Sequence, residues 1–195
     1  MRIITEKRSP LLFADETGLE RILFFSDAVF AIAITLLALE IRLPPLPAQA
    51  TNAQLLAALG ALGPRYLSYA ISFLAIGLLW MGHHRAFRHV DQYSSRLMFL
   101  NLLFLLSIGF LPFPTTVIGE FGNAVGTIFY AAAMAAAGLL LALLGRYVGA
   151  EGRFLWTPAI FLLSIPVAFV SPDAAKYVWL LILIPAFWHP RVTAG

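Results

Sequence analysis

The chain has 195 residues, 61% of them hydrophobic and only 12% charged, with a formal net charge of +3 and no cysteine. Soluble domains run at about 45–50% apolar and about 25% charged, so this is the composition of an integral membrane protein. The absence of cysteine excludes disulfides, thiolate metal sites and thiol catalysis. A small positive charge spread along the chain gives no nucleic-acid signal, and the length allows about six spans of ~20 residues with no added soluble domain.

Residues 1–18 read as a short polar cytosolic segment. Arg2, Lys7 and Arg8 mix with Glu6, Asp15 and Glu16, and no apolar run of signal length precedes Arg21, so no cleavable leader is expected. Thr17 is expected to cap the first helix, with Glu20 completing a capping box. The body, residues 19–190, divides into six predicted spans. The first covers 19–41 and ends before Pro44, Pro45 and Pro47. Residues 52–62 read as a short amphipathic or re-entrant helix, too short to cross a bilayer. The second span covers 65–81, followed by a basic link containing His83, His84, Arg85, Arg88 and His89. The third covers 96–111 and is expected to stop at Pro112 and Pro114. Thr115 to Gly122 reads as a short outer loop. The fourth covers 124–148, the fifth 155–170 with an interruption at Pro166, and the sixth a short 174–188; residues 191–195 form a tail.

Of the 13 Lys and Arg, only Arg42, Arg65 and Lys176 fall outside when the N-terminus is placed in the cytosol. The positive-inside rule therefore sets both termini in the cytosol of a multi-pass plasma-membrane protein. Trp80, Trp156, Trp179 and Trp188 lie near predicted span ends, where an aromatic belt is expected.

The most unusual stretch is Arg21-Ile-Leu-Phe-Phe25-Ser26-Asp27 at the head of the first span. An Arg or Asp costs about 2.5–3.5 kcal/mol at mid-membrane on insertion scales, so such residues are functional candidates. At 100° per residue, Ile32, Leu36 and Leu39 share one narrow apolar stripe, with Thr35 on its flank. Asp27 lies about 140° from Ile32, and Ser26 about 120° to the other side. The polar pair is therefore expected to face the protein interior or a neighbouring helix. Arg21, six residues before Asp27, is wrongly spaced to pair with it on one helix face. A buried carboxylate needs donors, and the candidates are Trp80, His83, His84 and Asn101.

Arg21, Phe25, Ser26 and Asp27 fill every position of an Arg-x-x-x-Phe-Ser-Asp pattern opening a first transmembrane helix. In this the chain resembles the bacterial branch of the transmembrane protein 175 potassium channel family. The resemblance implies an all-α fold with six transmembrane helices per subunit and a homotetramer in which the first helices surround a central pore. It implies a potassium-selective or potassium-preferring cation channel, without a carbonyl-lined filter and without a cofactor. Ile32 then matches the narrowest ring, Leu36 and Leu39 further rings outward, and Thr35 a threonine facing the path, so that potassium passes near Ile32 and Thr35. Trp80, His83 and Asn101 match a packing network behind the pore helix, with Arg21, Phe25, Ser26 and Asp27 as structural signature residues. The partners implied are further copies of the chain, the lipid bilayer and monovalent cations.

Two other patterns carry less. Thr115-Thr116-Val117-Ile118-Gly119-Glu120-Phe121-Gly122 superficially resembles the filter of ordinary potassium channels, but Ile118 and Glu120 break it and no pore helix precedes it. His83, His84 and His89 lack the remaining ligands of a metal site and read as basic groups facing lipid phosphates at a span end. No nucleophile–base pair or phosphate loop appears, so an enzyme is not expected. The rival readings are a secondary transporter, suggested by Pro158, Pro166 and Pro185 as helix breakers, and a non-conducting structural membrane protein. The outer carboxylates Glu40, Glu120 and Asp173 are expected to raise the local cation concentration.

Overall fold

The computed structural model describes residues 12–13, 16–88, 90–150 and 154–184. Expectations that involve Arg2, Lys7, Arg8, His89, Arg153, Pro185, Trp188 and Arg191 lie outside the described residues. The rest is almost wholly helical: α1 (Glu16–Leu39), α2 (Asn52–Ala61), α3 (Gly63–Phe87), α4 (Ser95–Phe110), α5 (Pro112–Glu120), α6 (Ala124–Tyr147), α7 (Trp156–Val170) and α8 (Pro172–Val178), then a 3-10 turn at Trp179–Leu183. Leu12–Phe13 (β1) pairs antiparallel with Tyr93–Ser94 (β2), tying the segment before α1 to the link between α3 and α4. Among the described residues, four stretches are long and apolar enough to cross a membrane: Gly18–Leu39, Gly63–Phe87, Ser95–Glu120 and Ala124–Tyr147. Trp156–Val170 is apolar but shorter.

The helix starts follow from local chemistry. Orphan N–H groups at a helix start need acceptors. Thr51 and Gln54 form a full capping box at α2, Ser94 Oγ accepts from the Leu97 amide at α4, and Asn123 Oδ1 accepts from the Gly126 amide at α6. At α1 the helix begins at Glu16, so Thr17 lies in its first turn and is not the cap.

Three expected helix breaks are corrected. The second membrane helix does not stop at Met81 but runs to Phe87, taking His83 and His84 out of the expected basic link and into the helix. Pro112 and Pro114 do not end the third span in an outer loop: Thr115 to Glu120 is helical. The reason is where the prolines fall. Leu111 keeps helical dihedrals (φ −58, ψ −30) and bonds its amide to Ile108. Pro112 then occupies the first turn of α5, where a missing N–H is tolerated. Pro166 likewise sits inside α7 without interrupting it. The predicted sixth span is, among the described residues, a short α8 and a 3-10 turn.

The core lies where α1, α3, α4, α5, α6 and α7 meet, around Phe30, Leu37, Ile76, Phe104, Ile108, Met134 and Phe161. Trp179 belongs to this core and not to an aromatic belt. It is 2% exposed, and its indole donates to Ser164 Oγ at 2.8 Å. α6 and α7 approach closely at Gly138, where an added Cβ would stand 2.7 Å from Pro158 Cδ.

Candidate ion pathway along the first helix

α1 has two faces. Ser26, Phe30, Ala33 and Leu37 recur at the helical period and are buried to 2% exposure or less. The opposite face is uncovered by the rest of the subunit: Ile32 is 58% exposed, Leu36 40% and Leu39 64%. Thr35 lies between them, exposed, with its hydroxyl donating to the Ile32 carbonyl at 2.9 Å. The expected stripe is thus an exposed surface, and the polar motif residues stand off it.

Ser26 and Asp27 are 100° apart and find different partners. Ser26 Oγ donates to the Ile22 carbonyl at 2.8 Å and accepts from Asn101 Nδ2 at 3.0 Å. Asn101 Oδ1 lies 2.8 Å from His83 Nε2. With the amide in this orientation, only an Nε2–H tautomer of His83 completes the pair as a donor. The imidazole sits between aromatic rings, stacked on Phe104 with centroids 5.6 Å apart and close to Phe87 at 4.6 Å. The line His83–Asn101–Ser26–Ile22 therefore crosses from α3 through α4 to the backbone of α1. His83 is 1% exposed, so it does not face lipid phosphates. The cause is its place on α3, on the same face as Leu79 and Phe87.

Asp27 lies at the edge of the exposed face and accepts from Trp80 Nε1 at 2.8 Å. Trp80 stacks on His84 at 5.9 Å. Of the four candidate donors for Asp27, Trp80 is its partner, His84 backs that indole, and His83 and Asn101 serve Ser26. Arg21 and Phe25 are exposed on the same helix.

Sequence reasoning missed two arrangements. Arg65 Nη1 donates to the Arg42 carbonyl at 2.8 Å, and Nη2 pairs with Glu120 at 3.3 Å, joining the segment after α1 to α3 and α5. Lys176 pairs with Asp173 at 2.9 Å. Two of the outer carboxylates expected to attract cations are thus already matched by bases. A cavity of about 980 Å³ opens between these groups, with Tyr130 and Trp179 in its wall. Beneath it, Tyr130 Oη, Ser72 Oγ and Thr115 Oγ1 form a buried hydroxyl row ending on the Leu111 carbonyl. Polar side chains inside apolar runs, such as Ser72 and Tyr130, were the available signal.

The chain is similar to known proteins in both sequence and fold. The family described as endosomal/lysosomal potassium channel TMEM175 matches residues 21–112. A potassium channel of Streptomyces collinus is 45% identical over 107 residues, 55% of this chain and 50% of that relative. The endosomal/lysosomal proton channel TMEM175 of Mus musculus is 43% identical over 98 residues, 48% of this chain and 20% of that relative. The chain therefore spans half or less of the length of these curated relatives. The crystal structure of a lysosomal potassium-selective channel TMEM175 homolog from Chamaesiphon minutus superposes with a TM-score of 0.77 at 30% identity, covering 87% of this chain and 96% of that one. The chain belongs to the TMEM175 family.

Proposed function

We propose that the chain is one subunit of a potassium-conducting cation channel in the plasma membrane, built as a homotetramer around α1. Each subunit contributes six spans, α7 being the fifth, and both termini are cytosolic. The observation that carries the reading is the division of α1. One face is fastened to α3 and α4 by packing and by the Ser26–Asn101–His83 line. The other presents Ile32, Thr35, Leu36 and Leu39 to something outside the subunit. A single α1 cannot enclose a path, so a pore along this stripe requires further copies. The relatives named as potassium channels support the same reading.

In this channel Ile32 forms the constriction. Leu36 and Leu39 stack about 6 and 10 Å further along the axis at 1.5 Å per residue. An apolar ring offers no ligand to a bare ion, so its barrier depends on diameter and wettability. Potassium is preferred because it sheds or deforms its hydration shell at lower cost than sodium. The test is current across a bilayer under potassium/sodium bi-ionic conditions. Ile32→Asn is expected to raise cation current and weaken discrimination against sodium. Leu163→Asn, on an exposed position of α7, is expected to change neither. Parent-like conductance and selectivity in a well-expressed Ile32→Asn oligomer would remove the constriction.

The outer cavity, with both charge signs on its wall, favours a second reading as a secondary transporter. A transporter gives saturable, coupled flux. A channel gives passive current that reverses at a potential set by the potassium gradient, and a structural protein gives none.

A further inference from the structure

We propose that the groove between α6 and α7 holds one anionic phospholipid of the cytosolic leaflet, with an acyl chain along its apolar floor and the phosphate on Arg146. The groove has a volume of about 770 Å³ and is lined by Leu139, Leu143, Phe154, Leu155 and Trp156, with Arg146 as the charged residue of its lining among the described residues. Leu139, Leu143 and Leu155 are 45%, 49% and 64% exposed, so the subunit's own helices leave them uncovered. The walls are held by close packing. A Cβ at Gly138 would meet Pro158 at 2.7 Å, and one at Gly145 would meet Phe154 at 2.8 Å. The Trp156 indole is fixed by donation to the Leu181 carbonyl at 3.1 Å.

The charge pattern selects the occupant. Arg146 lies in the last turn of α6, about 10 Å along the helix from Leu139 at 1.5 Å per residue. Under the basic asymmetry of the chain, this end of α6 is cytosolic, at the depth of anionic headgroups. Among the described residues, an apolar channel that ends at the Arg146 guanidinium complements an acyl chain ending in a phosphate. Guanidinium binds phosphate through two parallel hydrogen bonds, whereas a second copy of the chain would need an acidic or carbonyl-rich surface at that point.

Native mass spectrometry of the full-length protein in detergent tests this without any conduction. The probes are dioleoyl phosphatidylglycerol, dioleoyl phosphatidylcholine and inorganic phosphate. Phosphatidylglycerol, which is net anionic, is expected to be retained about tenfold more tightly than phosphatidylcholine, whose quaternary ammonium offsets its phosphate and is repelled by Arg146, and inorganic phosphate not at all. Arg146→Gln is expected to abolish that preference. Leu143→Trp, which fills the groove, is expected to lose both lipids, and Leu139→Trp provides a second filling variant should Leu143→Trp fold poorly. Leu106→Trp, on an exposed position of α4, is expected to retain them. Equal retention of the two lipids by the parent, or parent-like retention in Arg146→Gln and both filling variants, overturns the proposal. Dissociation of the oligomer in the filling variants would instead assign the groove to a second copy of the chain.

Discussion

Ser26 and Asp27 are neighbours in sequence, yet one is buried in the bundle and the other stands at its edge. A rotation of 100° per residue is enough to separate them. Their donors were legible as a set, since Trp80, His83, His84 and Asn101 are the polar groups inside or beside neighbouring apolar helices. Which donor serves which acceptor was not legible, because that depends on the relative rotation of α1, α3 and α4. Asn101 is the residue on which the buried line depends. Asn101→Leu preserves its approximate volume but leaves the His83 Nε2–H without an acceptor. Loss of a partner by a buried polar group costs about 1–3 kcal/mol, so a clear fall in the unfolding midpoint in detergent is expected, with the potassium/sodium ratio unchanged. A variant as stable as the parent would show that the line contributes nothing to folding.

At the scale of elements, two devices set the architecture. The first is the passage of α4 into α5 through Pro112, which keeps a 26-residue span continuous. Proline is read from sequence as a stop, but a stop and a first-turn position differ only in the dihedrals of the preceding residue. Here those dihedrals are helical, held by packing of Leu111 in the core. The second device is close approach at glycine. A Cβ at Gly126 would stand 2.1 Å from the Phe121 carbonyl oxygen, which is backbone and cannot turn aside. Gly126→Ala is therefore expected to destabilise by about 2 kcal/mol or more, within the range of overpacked cores. Gly60, in α2, has open space where its Cβ would be, and Gly60→Ala is expected to stabilise by about 0.5–1 kcal/mol through helix propensity. Thermal unfolding of the two variants side by side checks both signs.

For the whole molecule, orientation and assembly follow from different information. The positive-inside bias predicts that the turn after α5 lies outside. A single cysteine at Phe121, which is 57% exposed, is expected to react with an impermeant maleimide added to intact cells, against a background with no native thiol. Reaction only after permeabilisation would invert the topology. The exposed stripe on α1 predicts that the particle contains several chains, and native mass spectrometry is expected to give four. A monomer as the sole stable species would leave the stripe facing lipid and end the proposal of a central pore.

By itself the sequence determined that the protein is a membrane protein built mainly of helices, that its first helix is unlike the others, and which polar residues gather behind that helix. These depend on composition, on helical periodicity and on the high cost of polar groups in an apolar run, all of which are local quantities. Only the tertiary structure decided that Asp27 pairs with Trp80 while His83 and Asn101 serve Ser26, that Trp179 is buried, that Arg65 ties the segment after α1 to α5, and that Pro112 continues a span. Each of these depends on how one helix is rotated and displaced against another, and that is set by packing among residues far apart in the chain, which periodicity within a single helix does not encode.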